Sequence, residues 1–208
     1  MTKLVWDDLT ERVYFAGVDQ GVIYPTDGSP PVVWNGLTAV TDSSQSELKT
    51  YYYDGRLLLV RIVPREFSGK IEAITYPDVL DALTGAVPHA AGIRVHNSLP
   101  GEFHMTYRTL IGNPADGTDH GYRIHLLYNL KASFDEIAAK TLGDSIEPEN
   151  FSWTVTSVVR FIKNNLSLTH LSLDSREVDS TTLQTIEDQL YGTETTAPSM
   201  LDPRDLIP

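Results

Sequence analysis

The segment Phe103–Leu130, FHMTYRTLIGNPADGTDHGYRIHLLYNL, decides the fold class of this chain. Two runs rich in aromatic and branched apolar residues, Phe103–Ile111 and Gly121–Leu130, flank a polar stretch that contains glycine, proline and aspartate. Such a composition favours strands on both sides and a turn between them. The segment therefore predicts two strands joined by the connection Gly112–His120.

The same alternation of short apolar runs and turn residues extends over residues 12–174. Between two of these runs, Asp54-Gly55 is a strong hairpin signal. The run after it, Arg56–Val63, is almost continuously apolar, which predicts a strand buried on both faces. The further predicted strands are Arg12–Ala16, Val22–Tyr24, Val32–Asp42, Lys49–Tyr53, Glu66–Tyr76, Phe151–Ile162 and Ser167–Asp174.

One helix is predicted near the carboxyl end. Leu183, Ile186 and Leu190 recur at helical spacing, Asp179 or Ser180 can cap the start, and Gly192 can end it. Two shorter helices are predicted at Pro77–Leu83, ended by Gly85, and at Phe134–Leu142. Pro88–Pro100 is rich in small residues and predicts a loop.

These elements predict a mainly β protein, a β-sandwich or β-barrel with one packing helix and long loops or arms. Residues 1–192 are expected to form a single domain. Thr193–Pro208 contains three prolines and no periodicity, so we expect an extended tail that stays loose or lies on a neighbouring subunit.

Charge and composition exclude several classes of function. Sixteen basic and 28 acidic residues give a formal net charge of −12, and the strongest basic cluster, Arg61–Arg65, is interrupted by apolar residues. Tight binding to duplex DNA requires a basic face, so we do not expect it. The chain has no cysteine, no apolar run long enough to span a membrane and no secretory signal pattern at its amino end.

No catalytic motif is present, so no catalytic residue, cofactor or metal is expected. His120 and His125 are five residues apart, which places them on opposite faces of a strand, and His104 falls on a neighbouring strand. Asp116 and Asp119 lack the spacing of a calcium loop and favour a turn.

Acidic residues are common in this chain, so any pair of carboxylates is weak support for acid–base catalysis. A sugar-cleaving site could combine Glu66 and Glu72 with Tyr51–Tyr53. A solvated strand face with aromatic residues at an edge is the favoured interpretation of the same residues.

A set of segments in a fixed order and spacing extends along most of the chain. The segments are Gly17–Pro25, Val33–Leu37, Tyr52–Gly55, Phe67–Asp78, Tyr107–Asn113, Asp116–Leu126, Phe151–Trp153 and Leu173–Ser175. Together they resemble the major tail tube proteins of bacteriophages with long non-contractile tails, especially those that infect actinobacteria, and their order and spacing make the resemblance specific.

The resemblance implies a structural virion protein that assembles in the host cytoplasm into hexameric rings, stacked into a tail tube that delivers the genome. It implies contacts with further copies of the chain and with tape measure, tail terminator and distal tail proteins. DNA would pass through the tube without tight binding, and no membrane partner is implied. The alternative is another phage tail or baseplate protein, or a carbohydrate-binding β-sandwich.

Alternation along Glu66–Ala73 identifies the strand face expected to line the channel. Phe67, Ile71 and Ala73 fall on one face, and polar residues fall on the other. The candidate lumen-facing residues are Glu66, Ser68, Lys70 and Glu72, with Asp42 and Glu47 as less supported members of the same rim.

Overall fold

The computed structural model describes residues 12–46, 48–62, 65–96, 98–136, 148–158, 161–163 and 166–206. Strands make up most of its regular structure, as predicted. The strands are Tyr14–Pro25 (β1), Val32–Trp34 (β2), Leu37–Asp42 (β3), Leu48–Tyr53 (β4), Arg56–Ile62 (β5), Ser68–Ala73 (β6), Val87–Ala90 (β7), Ile93–Val95 (β8), Phe103–Asn113 (β9), Gly117–Glu136 (β10), Phe151–Ser157 (β11), Phe161–Lys163 (β12), Leu166–Ser167 (β13) and His170–Asp174 (β14). The helices are Val79–Leu83 (α1), Ser180–Tyr191 (α2) and Pro203–Leu206 (α3).

One antiparallel sheet, in the order β2-β1-β9-β10-β11-β6-β3, organises the domain, and β14 pairs with β10 beside it. Strands β2 and β3 lie at opposite ends of this order, yet only Asn35 and Gly36 separate them in the chain. The sheet must therefore curl until its ends meet. Gly21 of β1 allows this, because a Cβ there would collide with the Leu37 side chain of β3. The predicted mainly β sandwich or barrel is confirmed.

Strand β10 connects the two layers of the curled sheet. Its first part pairs with β9 and β14, and its last part, from Leu130 onward, pairs with β11. The strand bends at Asn129, which has a φ of 51°. The Asn129 N–H donates to His104 Nδ1 at 3.0 Å, and the Asn129 carbonyl accepts from the Val158 N–H at 2.7 Å. The bend therefore satisfies its backbone groups while it redirects the strand.

The first hydrophobic core lies between the two layers. Trp153 is fully buried, and its ring meets the edge of Trp34 at a centroid distance of 5.2 Å. Alternation in β6 sends Ile71 and Ala73 into this core, as predicted, together with Phe67 just before the strand. Aromatic pairs in this geometry add to the free energy of burial.

The second hydrophobic core lies between the sheet and α2. Leu183, Ile186 and Leu190 of the helix are buried against the face of β10 that carries Ile124 and Leu126. The Asp179 carboxylate caps the helix by accepting from the Thr181 and Thr182 N–H groups at 3.0 and 3.2 Å. The predicted packing helix is confirmed.

Residues 193–206 fold back over α2, where an extended tail was expected. The Ser199 N–H donates to the Gln189 carbonyl at 2.8 Å, and Leu201 is buried in the second core. A sequence without periodicity can still dock through one large apolar side chain, which local pattern does not reveal.

Two further expectations about local structure are wrong. The region 88–100, predicted as a loop, contains the hairpin β7–β8, whose Arg94 forms an ion pair with Asp81 of α1. Residues 134–136, predicted as the start of a helix, continue β10 because they pair with β11, and residues 137–142 lie outside the described part. Pairing with a distant strand overrides local helix propensity there. The short helix predicted at Pro77–Leu83 is confirmed as α1.

Candidate functional site

Strands β4 and β5 form a two-stranded ribbon, Leu48–Ile62, here called the arm. The turn at its tip is Asp54-Gly55, with φ values of 48° and 72°, as a type I′ hairpin requires. The predicted hairpin is confirmed. Among the described residues, the two strands pair only with each other.

The arm exposes large apolar side chains. Leu58 and Tyr53 are each 69% exposed and Tyr52 is 67% exposed, and Leu57 and Leu59 are exposed as well. The prediction that β5 is buried on both faces is wrong for the isolated chain. The apolar side chains of β5 favour burial against another surface, but no described part of the same chain packs on them.

The arm is also basic in an acidic chain. Lys49, Arg56 and Arg61 outnumber Asp54 within Leu48–Ile62, whereas the whole chain has a formal net charge of −12. The arm therefore combines apolar surface with a charge opposite to that of the rest of the molecule.

One sheet face remains uncovered by the described residues. Ser68, Lys70 and Glu72 of β6 alternate with the core residues, so they share this outer face. The register places residues of β11 beside them, and β10 extends the face further. The neighbouring polar side chains are Lys131, Ser133 and Asp135 of β10 and Ser152, Thr154 and Thr156 of β11, and Lys131 forms an ion pair with Glu102 at 3.5 Å.

Charges on this polar face largely cancel. Lys70 Nζ lies 3.3 Å from Glu72 Oε1 and 3.7 Å from Asp135 Oδ2. Thr154, and then Ser152, donate hydrogen bonds that hold the pKa of Asp135 below its usual range. Glu66 is exposed just before β6. The face is rich in hydroxyl groups and nearly neutral, rather than strongly acidic.

The structure separates the two remaining lumen candidates from this set. Asp42 lies opposite Gly69 in the β3–β6 register, so its side chain is on the core side of the sheet, away from Lys70. Glu47 lies outside the described residues. The prediction that Asp42 shares a rim with Glu66 and Glu72 is not supported by this register.

Asp42 instead belongs to a cluster at the base of the arm, where the chain leaves β3 and returns to β6. Arg65 Nη2 donates to Asp42 Oδ2 at 2.7 Å, which clamps the two ends of the arm together. The Ser43 N–H donates to the Ser68 carbonyl at 2.9 Å, and the Ser68 N–H donates to Ser44 Oγ at 3.0 Å.

Two histidines continue this cluster into the end of the first core. Asp42 Oδ2 lies 3.7 Å from His170 Nδ1, and His170 Nε2 lies 3.0 Å from His125 Nδ1. His125 Nε2 lies 3.1 Å from Thr109 Oγ1. Burial lowers the pKa of His125 to about 4 and also lowers the pKa of His170. Asp42, Arg65, His170, His125 and Thr109 are called the root cluster.

Sequence reasoning missed the root cluster because His125 and His170 are far apart in the chain. They meet only because β14 pairs with β10, with His125 opposite Ser172 and Leu127 opposite His170. Nothing in local periodicity identifies this register. The one available signal was that both histidines occur within predicted strands.

The other candidate chemical sites remain separate. His104 accepts from Asn129 at the bend of β10, and His120, near the start of β10, bonds to Asp116 in the turn that follows β9. Among the described residues, no group of three or more histidine or acidic side chains is arranged to hold a metal ion. The tyrosines considered for a sugar site lie on the arm, whereas Glu72 pairs with Lys70 on the sheet.

No family model matches the chain, and no curated protein has significant sequence similarity to it. The structural class of the protein therefore rests on the fold and the exposed surfaces described above. The chain is a mainly β protein of antiparallel sheets with a packing helix, and it has an apolar arm and a polar sheet face that the described residues leave exposed. Within the described part, no helix is long and apolar enough to cross a membrane.

Proposed function

We propose that this chain is a non-enzymatic structural subunit that assembles with copies of itself into stacked hexameric rings, and that these rings form the tail tube of a long-tailed bacteriophage. The observation that supports the proposal most directly is the exposed arm. Exposed apolar side chains have an unfavourable free energy in water, so such a ribbon is stabilised when another surface buries them.

A second copy of the chain is the partner that best fits the arm. The arm is basic and the rest of any other copy is acidic, so a contact between the arm and an acidic surface of another copy is favoured once the two surfaces are close. Burying a large apolar side chain is worth about 1.5–3 kcal/mol, and the arm offers several. An arm that docks away from its own base makes a head-to-tail contact, which closes into rings or continues into filaments.

The uncovered polar face supplies the wall of the channel in this proposal. The Ser152 and Thr154 hydroxyls donate to Asp135, and Lys70 is neutralised by Glu72 and Asp135. A nearly neutral wall does not attract phosphates strongly, so DNA passes without tight binding. Tape measure, tail terminator and distal tail proteins would contact the tube, and the virion tail would be its location.

A second candidate function uses the same arm differently. Tyr51, Tyr52 and Tyr53 are exposed side by side, and exposed aromatic rings can stack on sugar rings. The chain would then be a carbohydrate-binding module or another tail or baseplate protein. This alternative predicts discrete particles and sugar binding rather than tubes.

Electron microscopy of the purified protein, together with light scattering, tests the proposal. The double variant Tyr52→Ser/Leu58→Ser removes apolar surface from the arm and should abolish tubes and rings while thermal unfolding stays unchanged. Leu99→Ser is the matched control, because Leu99 is 92% exposed and lies outside the arm. Discrete wild-type particles with no rings at any concentration, or normal tubes from the double variant, would overturn the proposal.

A further inference from the structure

The root cluster stands where the arm joins the domain, and its hydrogen-bond directions can be worked out. Asp42 is an acceptor, so the His170 Nδ1 that faces it should hold a hydrogen. His170 Nε2 then accepts from the His125 Nδ1–H, and His125 Nε2 accepts from the Thr109 hydroxyl. This assignment leaves both rings neutral and gives three of the four ring nitrogens a hydrogen-bond partner, while His170 Nδ1 faces Asp42 at 3.7 Å, beyond hydrogen-bond distance.

We propose that the root cluster is a proton-operated joint: uptake of one proton by the His125–His170 pair shifts Asp42 from Arg65 to His170 and releases the base of the arm. The joint lies in the folded chain itself. Only its consequence for assembly, the loosening of arm-mediated contacts in acid, rests on the proposed function.

The pair can accept a single proton without losing its hydrogen bonds. With the added proton, His170 Nε2–H donates to His125 Nδ1, and the remaining hydrogen of His125 moves to Nε2 and points at Thr109 Oγ1, which can accept as well as donate. His170 then bears the positive charge beside the Asp42 carboxylate. A second proton would face an adjacent imidazolium and break the bond between the rings.

Burial is the largest effect on both rings and lowers the pKa of His125 and of His170, so the pair takes up its proton only below the ordinary histidine value. Asp42 attracts a proton on either ring, whereas Arg123 acts against protonation of His125 and Arg65 acts against protonation of His170. Tyr107 stacks on His125 with a ring centroid distance of 4.5 Å, and Phe67 meets the edge of His170 at 5.7 Å. Both rings are therefore held in place. The Ser44 N–H and hydroxyl donate to Asp42 Oδ1 and anchor it, so the exchange from Arg65 to His170 takes place at Oδ2.

The surroundings of Arg65 allow it to leave. Its side chain is 52% exposed, so its guanidinium can be hydrated when Asp42 turns away. A cavity of about 210 Å³ opens at this point, lined in part by Asp42, Arg65 and His170. The two side chains thus have room to exchange partners without disturbing the packed core.

Hydrogen exchange of the monomeric fraction tests the joint, with protection factors corrected for the intrinsic effect of pH. The root amides of Ser43 and Ser68 should lose protection between about pH 6.5 and pH 4, by up to about tenfold for each unit of pH. The variant His170→Gln, which keeps hydrogen-bonding groups but does not titrate, should show no such loss.

His89→Gln is the matched control, because His89 is exposed and lies on β7, outside the cluster. It should respond to pH as the wild type does. Protection that is flat in the wild type, or that falls equally in His170→Gln, would overturn the joint.

Imidazole nitrogen shifts in the wild type provide a second measurement that needs no variant. They should show His125 and His170 protonated at Nδ1 at neutral pH and one proton taken up by the pair; two independent titrations near the ordinary histidine value would overturn the joint. If tubes form at neutral pH but the protection of the Ser43 and Ser68 amides does not change with pH, the joint alone is rejected. If that protection changes with pH but no tubes form, the tail tube proposal alone is rejected.

Discussion

Asp174 shows how much one buried carboxylate can organise. It is the last residue of β14, and its side chain is 7% exposed. It accepts from Arg176 Nε and Nη2, both at 2.9 Å, and from Arg123 Nη2 at 3.0 Å. Arg176, the main cause, holds the pKa of Asp174 far below its usual range. Asp174 thereby ties β10 to the turn that leads into α2.

We predict that Asp174→Ala lowers the free energy of unfolding by about 2–3 kcal/mol, because two guanidinium groups lose a buried partner. The folded-state pKa is depressed, so this stability is present at neutral pH and is lost as pH falls below the usual aspartate value of about 3.9. Denaturant titration of Asp174→Ala and of the exposed control Asp205→Ala at neutral pH measures the effect. Equal stability of the two variants would contradict the prediction.

At the scale of elements, the bend in β10 lets one strand serve both layers. Strands β14 and β11 use different parts of β10, and the change of direction between them falls at Asn129. A φ of 51° is unfavourable for most side chains, and asparagine tolerates it better than others. The change of direction between the two layers therefore depends on a residue at position 129 that tolerates a positive φ.

Asn129→Val should destabilise the domain by about 2 kcal/mol, since a β-branched side chain resists a positive φ. Asn129→Gly is the matched variant and should change stability by less than about 0.5 kcal/mol, because glycine adopts this conformation freely. Thermal or denaturant unfolding compares the two. The bend would not be a backbone requirement if both substitutions had the same effect.

At the scale of the whole molecule, net charge is distributed unevenly. The arm is basic, the polar face is nearly balanced, and other parts of the chain account for most of the excess of acids. In the proposed ring, six copies hold a total formal charge of about −72. In this proposal the channel wall must not bind phosphate strongly. The polar face meets this requirement because its charges nearly balance and its hydroxyl groups attract phosphate only weakly.

Glu66→Lys/Glu72→Lys changes each subunit by four charge units, about 24 per hexameric ring. Folding should survive, because Glu66 is exposed and Glu72 is half-exposed at the surface, where a change of charge rarely alters stability by more than about 0.5 kcal/mol. The tube should retain DNA, most strongly at low salt, and release it as salt screens the lysines. DNA retention by assembled tubes is measured against salt concentration.

The control Glu177→Lys/Asp205→Lys makes the same change of charge at exposed positions outside the polar face. It should leave DNA retention at the wild-type level. If both double variants retain DNA equally, the effect follows total charge and the polar face is not the channel wall.

Local pattern alone accounts for the parts of this protein that depend on near neighbours in the chain. Asp54-Gly55 predicts the hairpin, Leu183 and Ile186 predict the inner face of α2, and alternation before Ala73 predicts the two faces of β6. The turn is specified by two adjacent residues, and the helix face and the strand faces are specified by apolar residues that recur every two to four positions. Backbone geometry imposes its periods over this same short range.

Tertiary structure decides what depends on distant pairing. The apolar run in β5 fits a buried core strand and an exposed arm equally well, because composition specifies a need for cover but not its source. The meeting of His125 with His170, and the position of Asp42 on the core side of β3, follow from registers between strands far apart in sequence. A shift of one residue would reverse each side chain, and no local period encodes that choice.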